Sequence, residues 1–304
     1  MAVVVGVEAW AESGPAVLWA AREARLRDEP LAVVHSEPEH LQHLRPDDVL
    51  LPARERDLVA DVAEVARHEG VRRVVSHPVT GDVAGRLVEA APGASMVVVG
   101  HRHHGRARET LRGSLGLRVA AHASCPVVVV PSDRALPSTG DVVVGVDLHS
   151  PGADQVLCAA LVEARLRGVR LVAVAAYSRY SGALGHDRSL AGASDSHVHD
   201  VVAQTLARVL EECQADDSPR VPVDDVVVAE DPSHTLVRRA RCAALVVVGS
   251  HGHSALVGTV LGSVPHQLLR QSDRPVVVVH LPRGHEPRHG TDRGLEPGSG
   301  ADGA

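Results

Sequence analysis

The sequence predicts two α/β domains in tandem, each built on a parallel five-stranded sheet with helices on both faces. Three observations support this fold class. The chain has 304 residues, which suits two domains of ordinary size. Short Val-rich runs alternate with stretches of helical period, and the same order of motifs occurs twice. Uninterrupted apolar runs are typical of strands buried on both faces, and their alternation with helices indicates a doubly wound parallel sheet.

Four motifs occur once in each half of the chain. They are VVVGVE at Val3–Glu8 and VVVGVD at Val142–Asp147, ARLR at Ala24–Arg27 and Ala164–Arg167, VVVG at Val97–Gly100 and Val246–Gly249, and PVVVV at Pro126–Val130 and Pro275–Val279. The spacing between the copies widens by about nine residues after the second motif, which indicates an insertion in the second copy. The polar, Gly-, Ser- and His-rich stretch Ser178–Asp200 contains it, and we predict a long loop there.

The elements follow in the same order in each copy. In the first copy we predict strands near Ala2–Val7, Leu31–His35, Arg72–His77, Met96–Gly100 and Val127–Pro131, and helices near Gly14–Arg27, Leu51–Glu69, Asp82–Ala91 and Ser114–Ala123. In the second copy we predict strands near Val142–Asp147, Arg170–Ala175, Asp225–Ala229, Leu245–Gly249 and Val276–His280.

The predicted domain boundaries follow from these repeats. The first copy spans residues 1–131, and residues 132–140 form a linker rich in Pro and Ser. The second copy spans residues 141–281. Residues 282–304 are dominated by Gly, Pro and charged side chains, and we predict a disordered tail because such a segment cannot bury a core.

Composition excludes several function classes. The net charge of −7 and the aromatic content of 1% argue against nucleic acid, which needs basic surfaces or stacking platforms. The chain contains no Lys, so it cannot use a P-loop lysine or Schiff-base chemistry. No apolar run is long enough to cross a membrane.

The cysteines and the N-terminus point to the cytoplasm. The four cysteines show no C-x-x-C spacing and suit a reducing compartment better than a disulfide frame or a zinc site; they are Cys125, Cys158, Cys213 and Cys242. The first residues lead into an apolar strand pattern with no basic region before it, so we expect no signal peptide.

A glycine loop after the fourth strand of the second copy is the strongest local signal. Gly249 and Gly252 allow a sharp turn and close backbone approach to a ligand. Nine residues later, Gly262 and Ser263 open a helix, with Ser263 as the expected N-cap. The free N–H groups and dipole of a helix start attract anions. If the first and fourth strands flank the crevice of the sheet, Asp147 faces this loop across it.

This combination resembles the universal stress protein family: a strand ending in Asp, a later VVVG, G-x2-G-x9-G-[ST], and a closing PVVVV strand. The resemblance implies a sheet of order 3-2-1-4-5 in each copy, an adenine nucleotide alpha hydrolase-like fold, and ATP, with or without Mg²⁺. It implies that Asp147 holds the adenosine side and that Gly249 lies under the ribose or first phosphates. The residues it places around the phosphates are Gly252, Gly262, Ser263 and Val264.

The first copy departs from the family pattern. Glu8 stands at the position of Asp147, and His103 stands where the second glycine of the loop belongs, although Gly113 and Ser114 still match its end. A His there fills the space and strains a backbone suited to Gly, so we expect ATP only in the second copy.

Simpler interpretations remain open for each motif. The glycine loop could be a tight connection without a ligand, and Asp147 could cap the next helix or bond a loop amide. Imidazoles can bind a metal. The His-rich segments that raise this alternative are His101, His103 and His104 with His251 and His253, and His197 with His199 in the insertion. No Cys or carboxylate repeats beside them, so we predict no metal site.

Three functions fit the sequence. The first is a regulatory, stress-response ATP-binding protein with one intact site, and not an enzyme. The second is a slow ATPase or autophosphorylating protein, for which His251 is the one candidate group. The third is a nucleotide-free interaction or dimerisation module.

The last strands predict how the copies meet. In the implied order Val127–Val130 and Val276–Val279 lie at sheet edges, and exposed apolar edges invite pairing. We therefore expect an intramolecular pseudo-dimer in which these strands are adjacent, as the resemblance also implies. Assembly of whole chains into a homo-oligomer is left open.

Overall fold

The computed structural model describes residues 1–7, 10–36, 53–79, 81–101, 115–132, 136, 139–177, 195–215, 218–251 and 261–281. The predicted disordered tail, most of the predicted linker, and residues 178–194 of the insertion lie outside this part of the chain.

Strands and helices alternate throughout the first copy. They are β1 (Val3–Val7), α1 (Trp10–Arg27), β2 (Leu31–Ser36), α2 (Ala53–His68), β3 (Val74–Val79), α3 (Val83–Ala90), β4 (Met96–His101), α4 (Leu115–His122) and β5 (Val127–Pro131), with a short 3-10 helix at Ala91–Gly93.

The second copy repeats the same order. Its elements are β6 (Asp141–Gly145), α5 (Ala153–Arg167), β7 (Leu171–Ala176), α6 (Asp195–Cys213), β8 (Val223–Val228), α7 (Pro232–Ala240), β9 (Ala243–Gly249), α8 (Ser263–Gln271) and β10 (Val276–Val279).

All ten strands form one sheet, in the order β3-β2-β1-β4-β5-β10-β9-β6-β7-β8. Within each copy every pair of neighbouring strands is parallel, and the order is 3-2-1-4-5, which confirms the predicted fold class. The two copies join where β5 pairs with β10, and this pair is antiparallel, with Val128 opposite Val277.

Both faces of the sheet are buried, as the uninterrupted valine runs predict. Along β1, Val3, Val5 and Val7 pack into the core on one face, whereas Val4 packs into the core on the other. The outermost strands, β3 and β8, are more exposed, because each has a neighbour on one side only.

The predicted loop at Ser178–Asp200 is wrong at its C-terminal end, where α6 begins at Asp195. The polar composition of this segment favours a loop, but an apolar stripe of helical spacing already includes Val198 and continues through Val202 and Leu206, all of which are buried. His197 and His199 therefore lie on a helix and not in a loop.

A second contact between the copies is made by charged side chains of α1 and α5. Glu23 and Arg27 belong to the first copy, and Glu163 and Arg167 occupy the equivalent positions of the second. Arg27 bonds Glu23 at 2.8 Å and also bonds Glu163, and Arg167 bonds Glu23 at 2.5 Å and also bonds Glu163. We name these four residues the charge ring, because each arginine contacts both glutamates.

The charge ring is almost fully buried. Glu23 is 1% exposed and Glu163 is 5% exposed. Burial raises the pKa of the Glu23 carboxyl, and the neighbouring Glu163 raises that pKa further, against the opposing effect of Arg167 and Arg27. Loss of either arginine would therefore leave two buried carboxylates close together with only one positive charge between them.

Candidate functional site

The candidate crevice lies at the carboxyl ends of β6 and β9. These strands are neighbours, with Gly145 opposite Val248, and the chain winds away from them in opposite directions, to β7 on one side and β10 on the other. A doubly wound sheet offers its ligand crevice at this reversal of winding. Asp147 follows β6 by two residues, whereas Gly249 is the last residue of β9.

Asp147 stands in the turn that leads from β6 to α5, since the strand ends at Gly145 and not at Asp147 as the sequence predicts. Its Oδ1 accepts a hydrogen bond of 3.1 Å from the His149 amide, and its carbonyl accepts one of 2.9 Å from the Ser150 amide. The half-buried carboxylate therefore stabilises the turn, which is the simpler of the two interpretations of this residue.

Side chains pack closely against Gly249. A Cβ there would lie 2.9 Å from Cδ1 of Leu281 and 3.2 Å from Cγ2 of Val156. Leu281 is 3% exposed and also packs against Gly152, the residue that precedes α5. The side chain of Leu281 therefore fills the space between the end of β9 and the start of α5.

Ser250 joins three elements at the base of the crevice. It is 1% exposed, its amide donates to the Val279 carbonyl at 2.8 Å, and its Oγ accepts from the Leu281 amide at 3.1 Å. Its carbonyl accepts from the Gly262 amide at 2.8 Å. Ser250 thus fastens β9 to β10 and brings together the two ends of the glycine loop.

Gly262 sits closely against the other end of that loop. A Cβ at Gly262 would lie 3.2 Å from the Cα of His251, and backbone atoms cannot yield as a flexible side chain can. The His251 ring is held in turn, since its Nδ1 lies 3.0 Å from the Ser250 Oγ. Gly252, the second glycine of the motif, lies outside the described residues.

Helix α8 begins at the crevice. The N-cap is Gly262, with φ −67° and ψ 165°, and Ser263 is the first helical residue, so the prediction of Ser263 as N-cap is wrong by one position. No described side chain caps this first turn, and it contains no acidic residue. Ser263 is exposed and Val264 half-buried, and the N–H groups of a first helical turn have no partner within their own helix.

Sequence analysis missed Ser250, Gly152 and Leu281. Ser250 has a signal in the sequence, because it lies inside the glycine motif, but nothing in the sequence pairs it with Leu281 thirty-one residues later. In the first copy, β4 ends at His101, opposite Pro131 in β5, whereas Glu8, His103, Gly113 and Ser114 lie outside the described residues.

Within the described ranges no group of three or more His, Cys, Asp or Glu side chains could hold a metal ion. A cavity of about 420 Å³ lies at the turns before β2 and β3, between residues 24–29 and 68–72, at the amino ends of the strands of the first copy. None of the described helices is long and apolar enough to cross a membrane.

The fold and the crevice define a class: a tandem α/β protein of the doubly wound type, with a crevice at the carboxyl ends of β6 and β9. The sequence profile described as the universal stress protein family matches residues 1–131 and again residues 139–280. The chain belongs to the universal stress protein family.

Relatives share this two-copy length. Universal stress protein Rv2005c of Mycobacterium tuberculosis H37Rv is 35% identical over 293 residues, which cover 91% of this chain and 96% of the relative. Universal stress protein Rv1996 of the same organism is 32% identical over 307 residues, with coverage of 93% and 96%. The crystal structure of a universal stress protein from Archaeoglobus fulgidus aligns with a TM-score of 0.62 at 16% identity, and covers 91% of this chain and 96% of that one.

Proposed function

We propose that this chain is a regulatory, stress-response ATP-binding protein whose second copy holds one nucleotide. The observation that carries the proposal is the first turn of α8, which starts at the crevice with no described capping side chain and no acidic residue. Such a helix start favours phosphate through its N–H groups and its dipole. Gly249, Gly252, Gly262 and Ser263 complete the spacing of a phosphate loop around it.

The base of this loop is preorganised in a way that suits a ligand site. Ser250 fixes the backbone between β9, β10 and α8 through three hydrogen bonds of 2.8–3.1 Å. A loop with both ends held loses less entropy when it closes on a ligand. On the other side of the crevice, Asp147 offers a half-buried carboxylate, which can accept hydrogen bonds from the adenosine part of ATP.

The proposal includes binding without turnover and a cytoplasmic location. His251 is the group in the loop that could support acid–base chemistry or autophosphorylation, but its Nδ1 already lies 3.0 Å from the Ser250 Oγ, which favours a positioning role. The scattered spacing of the four cysteines suits a reducing compartment.

A nucleotide-free pairing module is the second candidate, and it is favoured by the packing around Gly249. Leu281 and Val156 lie close enough to Gly249 to favour a glycine there without any ligand. In that case the fold would serve mainly to pair the two copies, through β5, β10 and the charge ring. This candidate predicts no nucleotide in the purified protein.

Denaturing the purified full-length chain and identifying any released nucleotide separates these functions. We expect about one adenine nucleotide per chain, or, for protein stripped of ligand, one calorimetric site for ATP with Mg²⁺. At a hundred times its dissociation constant, ATP should stabilise the folded chain by about 2.7 kcal/mol. No nucleotide, no heat of binding and no change in melting would support the pairing module, and repeated release of ADP would support the ATPase.

We also propose that the two copies remain paired in solution as an intramolecular pseudo-dimer. Val128 and Val277 are direct partners, and such Cα atoms lie about 4.5–5.5 Å apart, within the range of a disulfide. Cysteines at these two positions should therefore form a bond within one chain. The matched control places cysteines at Val127 and Val277, whose side chains pack into cores on opposite faces, and should not form it. Bonds only between chains would contradict the proposal.

A further inference from the structure

Two cysteines that are far apart in the sequence lie side by side on the surface of the second copy. Cys158 is in the middle of α5, and Cys213 is the last residue of α6, which packs against α5. The Cys213 Sγ lies 3.5 Å from the carbonyl oxygen of Asp154, which is one helical turn before Cys158 on the same face of α5, so the two thiols are neighbours. Cys158 is exposed and Cys213 is partly exposed, so a small oxidant can reach the pair.

Cys213 is placed so that it can give up its hydrogen bond and form a disulfide with Cys158. Its Sγ donates to the Asp154 carbonyl in the first turn of α5 at 3.5 Å, a weak contact that can be given up. A disulfide needs an S–S distance of about 2.05 Å, so the two sulfurs must approach further. Since Cys213 ends α6, the required movement falls on a helix terminus, where backbone bonds are fewest.

The surroundings assign different roles to the two thiols. Burial raises the pKa of the Cys213 thiol to about 12, and the neighbouring Cys158, Asp154 and Glu212 raise it too. Cys213 therefore keeps its proton at neutral pH. Cys158 is the more exposed of the two thiols, so a peroxide reaches it first, and a thiol reacts with a peroxide in its thiolate form.

We infer that Cys158 and Cys213 form a reversible disulfide on exposure to a hydroperoxide, with Cys158 as the attacking thiol and Cys213 as the resolving one. The Cys158 thiolate attacks the terminal peroxide oxygen, the O–O bond breaks, and the leaving oxygen departs as an alcohol or as water after taking a proton. Cys158 is then a sulfenic acid. The Cys213 sulfur attacks it, the S–O bond breaks, and hydroxide leaves as water with the proton of Cys213. The pair loses two electrons, which reduce the peroxide.

The equivalent helices of the first copy carry no thiol, because Leu18 stands at the position of Cys158. Cys125 is buried, and burial raises the pKa of its thiol to about 11, which protects it from peroxide. Cys242 is exposed but lies in the turn after α7, away from α5 and α6, and is the natural internal control.

The test treats the reduced full-length protein with hydrogen peroxide, blocks the remaining thiols with an alkylating reagent, and maps peptides by non-reducing mass spectrometry. We expect a peptide pair linked through Cys158 and Cys213, which dithiothreitol separates, whereas Cys125 and Cys242 remain outside any disulfide. Both cysteines of the pair alkylated after treatment, or Cys158 linked to another chain, would overturn the inference.

Single variants assign the roles. Cys213→Ser should stop the reaction at a Cys158 sulfenic acid that dimedone traps, and Cys158→Ser should slow oxidation of Cys213 at least tenfold. Cys242→Ser should leave the disulfide unchanged. Oxidation of Cys213 at the parent rate in Cys158→Ser would reverse the assignment. Mapping of the disulfide-linked peptides in the parent protein needs no substitution, so it tests for the disulfide even if a variant folds poorly.

Discussion

The two copies of the domain are alike where they face each other and different where a ligand would bind. The pentapeptide EARLR at Glu23–Arg27 returns unchanged at Glu163–Arg167, and its charged residues meet in the charge ring. At the crevices the copies diverge. Gly249, Ser250 and His251 of the second copy stand at the positions of Gly100, His101 and Arg102 in the first.

The difference has a physical cause. In the charge ring each arginine bonds one glutamate of its own copy and one of the other, so a substitution in either copy leaves a buried charge in both. The two crevices lie at opposite ends of the sheet, because each lies at the carboxyl ends of its own strands and the two copies are antiparallel. A substitution at one crevice should therefore leave the other copy intact, whereas a substitution in the ring affects both.

The largest expected effect is that of breaking the ring. Arg27→Met leaves Glu23 and Glu163 with one arginine between them, and should lower the free energy of unfolding by about 3–5 kcal/mol. Arg167→Met should cost about 0.5–1 kcal/mol more, because Arg167 also lies 5.8 Å from the ring centroid of Trp19. Urea unfolding of the purified variants measures both.

The matched control is Arg86→Met, which breaks an exposed ion pair with Glu89. Exposed pairs contribute little, so this variant should stay within about 0.5 kcal/mol of the parent. If Arg27→Met were as stable as Arg86→Met, the charge ring would not stabilise the fold, and stability would not explain why EARLR is identical in the two copies.

The next largest effect is expected from a substitution that makes the loop of the second copy resemble that of the first. Gly252→His copies the residue found at His103 into the loop of the second copy, and should reduce ATP affinity at least a hundredfold, or about 2.7 kcal/mol, because the side chain fills the space of the phosphates. Calorimetry of the purified variant measures the loss. Gly93→His is the control, since a side chain at this exposed glycine meets no atom within 4 Å. Parent-like binding by Gly252→His would refute the phosphate-loop assignment.

The contribution of the charge ring to the free energy of unfolding should depend on pH. The folded-state pKa of Glu23 is raised above its usual 4.5, first by burial and then by Glu163. Above pH 4.5, and up through the raised pKa, the folded chain holds more protons than the unfolded chain, so this group's contribution to stability is lost as pH rises. The slope is at most about 1.4 kcal/mol per pH unit. Glu23→Gln cannot ionise and should lack it.

Unfolding curves at several pH values between 4.5 and 7.5 provide the measurement. The stability of Glu23→Gln should increase relative to the parent as the pH rises through the raised pKa of Glu23. A curve parallel to that of the parent would mean that burial does not raise the pKa of the Glu23 carboxyl.

The smallest effect concerns the helix start. Ser263→Ala removes a hydroxyl but leaves the N–H groups of the first turn, so ATP affinity should fall about three- to tenfold, the equivalent of about 0.5–1.5 kcal/mol for one hydrogen bond. Because Ser263 is exposed, the melting temperature without ligand should not change. A loss as large as that of Gly252→His would mean that the side chain, and not the helix start, holds the phosphate.

The sequence by itself determined the fold class and the position of nearly every strand. Buried strands such as Val97–Gly100 and Val246–Gly249 are written as uninterrupted valine runs, and local period is enough to recognise them. It did not determine where α6 begins, because composition and helical period disagree at Asp195–Asp200 and burial of Val198 decides between them. It placed the N-cap of α8 one residue too late for a related reason, since Gly262 and Ser263 are both good caps and only backbone geometry separates them.

Only the tertiary structure decided which distant residues meet. The repeat of EARLR was visible in the sequence, but its reason is the contact of α1 with α5. Cys158 and Cys213 read as scattered thiols until the packing of α6 on α5 makes them neighbours. Leu281 gave no sign that it covers Gly249. Local patterns specify local structure because they act through neighbouring backbone, whereas side-chain contacts depend on how whole elements pack, and no short stretch of sequence contains that information.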